Sequence, residues 1–134
     1  LPPESGDKDI EEVMNLLFAL DSQSFAYPRF KFEPGIDTIK KPKVIVIGDS
    51  FYWAINNTYV PAKLFSETSQ FWYYFKKSLP NSAGSSVPMS KIDIVEELKS
   101  ADAIIMIVGS ENINDFPFGF ASFLENNKEQ FKLP

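Results

Sequence analysis

The sequence predicts an α/β fold, a three-layer sandwich on a short parallel sheet, and three observations carry that expectation. Two continuous apolar runs, Val44-Ile-Val-Ile47 and Ala103-Ile-Ile-Met-Ile-Val108, are rich in β-branched residues and lack polar alternation, as strands covered on both faces do. Each run ends in a glycine and a polar cluster, Gly48-Asp-Ser50 and Gly109-Ser-Glu-Asn112, where an open α/β sheet holds its ligands. Helical segments alternate with the strands through short connections, which implies right-handed crossovers.

The elements follow in order. Asp9 is placed to cap a helix through Leu20, with Ile10, Val13, Met14, Leu17 and Leu20 on one face at helical spacing. Ser22 to Pro42 is irregular and rich in aromatic residues and proline, with an extended piece at Phe30-Lys-Phe32. Residues 1–40 therefore read as a lead-in and 41–130 as the α/β core of a single domain spanning 1–134. The first strand is Lys43–Gly48. Phe51–Asn57 reads as a short helix that resumes over Val60–Phe65 after a turn at Asn56-Asn-Thr58. Gln70–Lys77 is expected as the second strand because Phe71-Trp-Tyr-Tyr-Phe75 favours extended backbone. Asn81–Pro88 is a Ser/Gly/Pro loop, and Ser90-Lys-Ile-Asp93 looks like a capping box opening a helix to about Ser100. The third strand is Asp102–Val108, and a closing helix runs from Phe116 or Gly119 to about Lys128. With the first strand central, Ser50, the Asn81–Pro88 loop and Asn112 are expected around one crevice.

Composition narrows the chemistry. One hundred and thirty-four residues, 44% of them apolar, suffice for one core and not for two. A net charge of −5 argues against a nucleic-acid backbone as partner, and Lys40-Lys41 and Lys76-Lys77 read as solvated ends. Without cysteine there are no disulfides or thiolate sites, and with no histidine either a transition-metal site is not expected. No Ca²⁺-loop spacing is present, so no metal and no cofactor is expected. Neither apolar run approaches the length of a membrane span. The opening Leu-Pro-Pro-Glu-Ser-Gly-Asp-Lys reads as a linker, the expectation being a piece of a longer protein.

Ser50 is the candidate nucleophile. Gly48 permits a tight strand exit, and a following helix start offers N–H groups and positive partial charge to an oxyanion. The same residues also suit a plain turn in which Asp49 and Ser50 cap the helix. Asn112 to Asp115 suit both a polar site and a loop that caps the next helix. Most aromatic residues are expected in the core, with Tyr52 and Trp53 the two candidates for a substrate wall.

This strand, Gly-Asp-Ser, helix order resembles the first sequence block of the SGNH (GDSL-type) esterase and acetyltransferase superfamily, and Gly109-Ser-Glu-Asn112 is similar to its later Gly-x-Asn-Asp-like block with one extra residue. Gly48-Asp-Ser-Phe51 looks nearest to the alginate O-acetyltransferase-like branch, whose catalytic Asp and His lie upstream of the serine. The resemblance covers roughly residues 41–124. It implies a flavodoxin-like sheet, incomplete here, and acyl transfer from acetyl esters of carbohydrate by an extracytoplasmic protein. It also implies Ser50 as nucleophile, with an oxyanion held by the Ser50 N–H, an N–H near Gly84 and the Asn112 side chain, Asn114 being the other register. Asp49 then shapes the turn, and Glu111 either orients the base or a substrate hydroxyl or is a surface cap. The missing histidine departs from the pattern. It leaves either a base in an upstream segment or a carbohydrate-binding or scaffold domain without turnover. A receiver-like domain using Asp49 for Mg²⁺ or phosphate is a third class, but the acidic neighbours that such a site gathers are absent from the sequence around it.

Overall fold

A computed structural model describes residues 29–81 and 84–131 of the chain. The chain divides into two units, residues 1–31 and 32–134, and every element below belongs to the second. The helix expected over Asp9–Leu20 lies outside the described residues.

Five strands and four short helices make an α/β unit. They are β1 (Val44–Gly48), α1 (Tyr52–Asn56), α2 (Val60–Leu64), β2 (Gln70–Tyr73), β3 (Lys77–Pro80), β4 (Val87–Pro88), α3 (Ile94–Ser100), β5 (Ala103–Ile107) and α4 (Phe120–Asn126). The sheet order is β4-β3-β2-β1-β5. β1 runs parallel to β2 and β5, with Val44 opposite Ala103 and Gly48 opposite Ile107. β2–β3 and β3–β4 are antiparallel.

The sheet is therefore mixed, a correction to the all-parallel expectation, and the cause lies in Gln70–Lys77. These residues do not form one strand. The chain reverses at Tyr74–Lys76, with Tyr74 and Phe75 both at φ 51°, so that Tyr73 pairs with Lys77. Bulky residues adopt that conformation at a cost of about 1–3 kcal/mol each unless packing over-determines it. Here the Phe75 ring packs 5.9 Å from Trp72, 5.4 Å from Phe120 and 5.8 Å from Phe123, and such aromatic pairs contribute about 0.5–1.5 kcal/mol beyond area burial.

The core lies on both faces of β1. Ile45 and Ile47 pack with Trp72, Met89, Leu98 and Phe120 on one face. Val44 and Val46 pack with Tyr52 and Phe71 on the other. Trp72 is fully buried, and its indole N–H donates to Gln70 Oε1 at 2.8 Å, which also accepts the Ser78 hydroxyl at 2.7 Å. Where β1 begins, Val44 N–H donates to the buried Ser69 hydroxyl and Lys43 N–H to Asp102 Oδ2, which ties the starts of β2 and β5 to it. Helix α3 starts one turn later than the capping-box reading placed it. Its cap is Asp93, whose carboxylate accepts the Glu96 N–H, while Ser90 sits in a 3₁₀ turn, Met89–Lys91. No strand forms at Phe30–Phe32.

Gly48 and Ile107 set how closely β1 and β5 approach. A Cβ at Gly48 would run into the Ile107 carbonyl oxygen and come within 2.8 Å of its Cγ2. Because the obstacle is backbone, Gly48→Ala is expected to cost about 3 kcal/mol, at the upper end for overpacking. Denaturant titration checks this, and an unchanged midpoint would contradict it.

Candidate functional site

The turn after β1 is built around a buried carboxylate. Asp49 is fully buried. Its Oδ1 accepts the Phe51 N–H at 2.9 Å, and its Oδ2 accepts the Gly109 N–H at 2.8 Å and the Asn112 Nδ2 at 3.0 Å. An ionised carboxylate out of water is costly unless hydrogen-bonded. Burial works to raise the Asp49 pKa, but the bonds from Gly109, Phe51 and Asn112 outweigh it and hold the carboxyl below its ordinary value. Asp49 is thus an anion at neutral pH, and its carboxylate is held by neutral donors, two backbone N–H groups and one side-chain amide.

This carboxylate joins the two strand exits. Ser50 follows it directly in the chain and is exposed, whereas Asn112, in the 3₁₀ turn Ser110–Asn112 after β5, is tied to it by hydrogen bond. Asn114 is exposed, and it is Asn112 that Asp49 holds. Asp49 also acts as a cap, taking the Phe51 N–H, and α1 has no cap from its own N-cap side chain. At five residues, α1 is too short to supply the helix field expected at the serine, because the macrodipole sums over many aligned peptides.

Two tyrosines complete the cluster. Tyr73 stands opposite Gly48 across the β1–β2 pair, and its ring lies 4.6 Å from that of Tyr74. Burial, Tyr74 and the charge of Asp49 push Tyr73 above its ordinary value, and Ser50 offsets only part of this. Tyr74 Oη lies 3.5 Å from Asn112 Nδ2, at the long limit for such a contact, and the Tyr74 N–H donates to Gly48 O at 2.7 Å. Polar contacts thus run from Tyr74 through Asn112 to Asp49. Sequence reasoning missed both tyrosines by reading Phe71–Phe75 only as strand. The two residues also line a cleft of about 340 Å³, within the size range of small-molecule sites, where Lys77 Nζ stands 5.3 Å from the Tyr73 ring centre.

The other candidates are placed differently. Gly84 is not beside Ser50. It sits against Pro80, which pairs with Gln70 at the amino end of β2, and Asn81 N–H donates to Ser69 O at that same end. The hairpin carries the start of the Asn81–Pro88 loop away from the serine, so Gly84 supplies no oxyanion N–H there. Tyr52 packs in the core, its ring 4.6 Å from Phe71, burial pushes its phenol up to about 12, and with Trp53 and Gly84 it lines a cleft of about 70 Å³. Trp53 is half-buried, its ring 5.2 Å from Phe71 and 6.1 Å from Tyr73, at the margin of the cluster. Glu111 is exposed, with its carboxylate over Gly109.

Among the described residues, no three His, Cys, Asp or Glu side chains gather into a metal-binding group, and no helix is long and apolar enough to cross a membrane. No protein-family description, no curated protein and no solved structure matches the chain.

Proposed function

We propose that this site belongs to a serine-dependent esterase or O-acyltransferase of the SGNH type acting on acetyl esters of carbohydrate, with Ser50 as nucleophile and a histidine base from outside the 134 residues. The observation that supports it is the tether at Asp49. One buried carboxylate holds both the turn that presents Ser50 and the amide of Asn112, sixty-three residues further along the chain.

In this reading the Ser50 oxygen attacks the ester carbonyl carbon as its proton passes to the base. The Ser50 N–H and the Asn112 amide N–H that is not bound to Asp49, turning from its 3.5 Å contact with Tyr74 Oη, stabilise the oxyanion, each such donor contributing about 3–4 kcal/mol. Collapse expels the sugar oxygen, which recovers the proton from the base. The acetyl group stays on Ser50 until water or an acceptor hydroxyl takes it. Tyr73 does not replace the base: a phenol raised above its ordinary pKa stays protonated at neutral pH, so it gives hydrogen bonds and takes no proton.

The absence of histidine favours a second reading, a carbohydrate-binding or scaffold domain without turnover. Imidazole separates the two. Hydrolysis of an acetylated sugar by the 134-residue chain is expected to be negligible alone, to climb with added imidazole, and to lose that increment in Ser50→Ala. Identical rates in both proteins at every imidazole concentration, with the sugar still bound in equilibrium dialysis, would leave the binding domain as the reading.

A further inference from the structure

The cover over the sheet ends one strand short. In register with β1, Ile104 and Met106 share the face of Ile45 and Ile47, and Ala103, Ile105 and Ile107 share that of Val44 and Val46. The β1 residues are almost wholly buried, yet Ile104 is 44%, Ile105 41% and Met106 53% exposed. Among the described residues no strand pairs with the outer edge of β5. This corrects the expectation of a strand covered on both faces, and it contradicts how natural free edges are built, since those are blunted by lysine, proline or polar alternation. Residues 102 to 115 contain no proline, lysine or arginine.

The chemistry of the edge selects its occupant. Three carboxylates, Asp102, Glu111 and Asp115, flank the apolar run, and all three residues are exposed. A second copy paired antiparallel along β5 would bring Asp102 of one chain toward the Glu111 end of the other, between molecules that each carry a net charge of −5. We propose that the β5 edge accepts a strand from a partner polypeptide that is apolar on both faces and flanked by lysine or arginine, extending the sheet to a sixth strand. Main-chain hydrogen bonds supply the affinity in this mode, while flanking charge and face pockets supply selectivity. The inference is independent of whether Ser50 is a nucleophile.

The probe is a peptide of alternating valine and isoleucine between paired lysines, N-methylated along one edge so that it cannot stack on itself. With the ¹⁵N-labelled chain, saturating peptide is expected to slow exchange of the outward amides of Ala103–Ile107 about tenfold. A version with glutamate in place of lysine is expected to bind about tenfold more weakly, and Ile105→Lys in the protein to weaken the lysine peptide without changing the far-ultraviolet circular dichroism. Unchanged β5 exchange at millimolar peptide overturns the proposal, as does equal binding of the two peptides. A chain that sediments as a dimer with β5 already protected overturns it in favour of a second copy.

Discussion

In a form of the protein that carries a histidine base, Ser50→Ala is expected to lower acetyl-ester turnover by about 10⁶-fold, the scale on which removing the serine of a serine–histidine pair acts. Stability should stay within about 0.5 kcal/mol, because the residue is exposed and no large packing loss follows. Steady-state kinetics and thermal unfolding of the same preparation check both halves. The 134-residue chain, which has no histidine, should run about 10⁶-fold below that longer form, because losing the histidine costs about as much as losing the serine. Equal and substantial rates would place a base within these residues, and retained turnover in Ser50→Ala would place the chemistry elsewhere.

Asp49→Ala is expected to be the most damaging substitution for the fold at this site, at about 3–5 kcal/mol. It leaves the N–H groups of Gly109 and Phe51 and the Asn112 amide without their acceptor, and each buried unsatisfied group costs about 1–3 kcal/mol. That is a large part of the 5–15 kcal/mol or so that holds a domain together. The pH dependence separates charge from shape. Since the folded carboxyl is held below the ordinary 3.8, its contribution is fully present above that value and is lost as the pH falls through the folded pKa. The stability gap between wild type and Asp49→Asn, measured by denaturant titration, should therefore be constant from neutral pH down to about 5 and narrow below the ordinary aspartate value. A gap that persists unchanged into strong acid would mean that Asp49 acts only through its shape.

Much of the frame was legible in local pattern. Unbroken apolar runs rich in β-branched residues marked β1 and β5, and their parallel pairing agrees with the parallel sheet expected for such strands. The glycine at the end of β1 marked a close approach, which the backbone of Ile107 now explains. Ser50 was legible as a strand-exit hydroxyl, and Asn112 as the polar residue matching it on β5. The placement of Gly84 and of Tyr52 was beyond local pattern for different reasons. The first depended on a strand that turned out to be a hairpin, and the second on helix phase, which sets whether a ring points to the core or to the crevice.

What the sequence by itself determined, then, is where apolar strands run and which polar residues leave their ends, because side-chain period and β-branching act over a few neighbouring residues. Tertiary structure decided the rest. Positive φ at Tyr74 and Phe75 has no local preference behind it, and the reversal stands where Phe75 has Trp72, Phe120 and Phe123 to pack against. That reversal set Tyr73 and Tyr74 against Gly48 at the exit of β1 and led the chain back to place Gly84 against Pro80. Asp49 became a tether only because Gly109 and Asn112 arrive from sixty residues or more further along the chain. The exposure of β5 was equally beyond local pattern, since an apolar run specifies that a strand should be covered, while its neighbours in space decide whether it is.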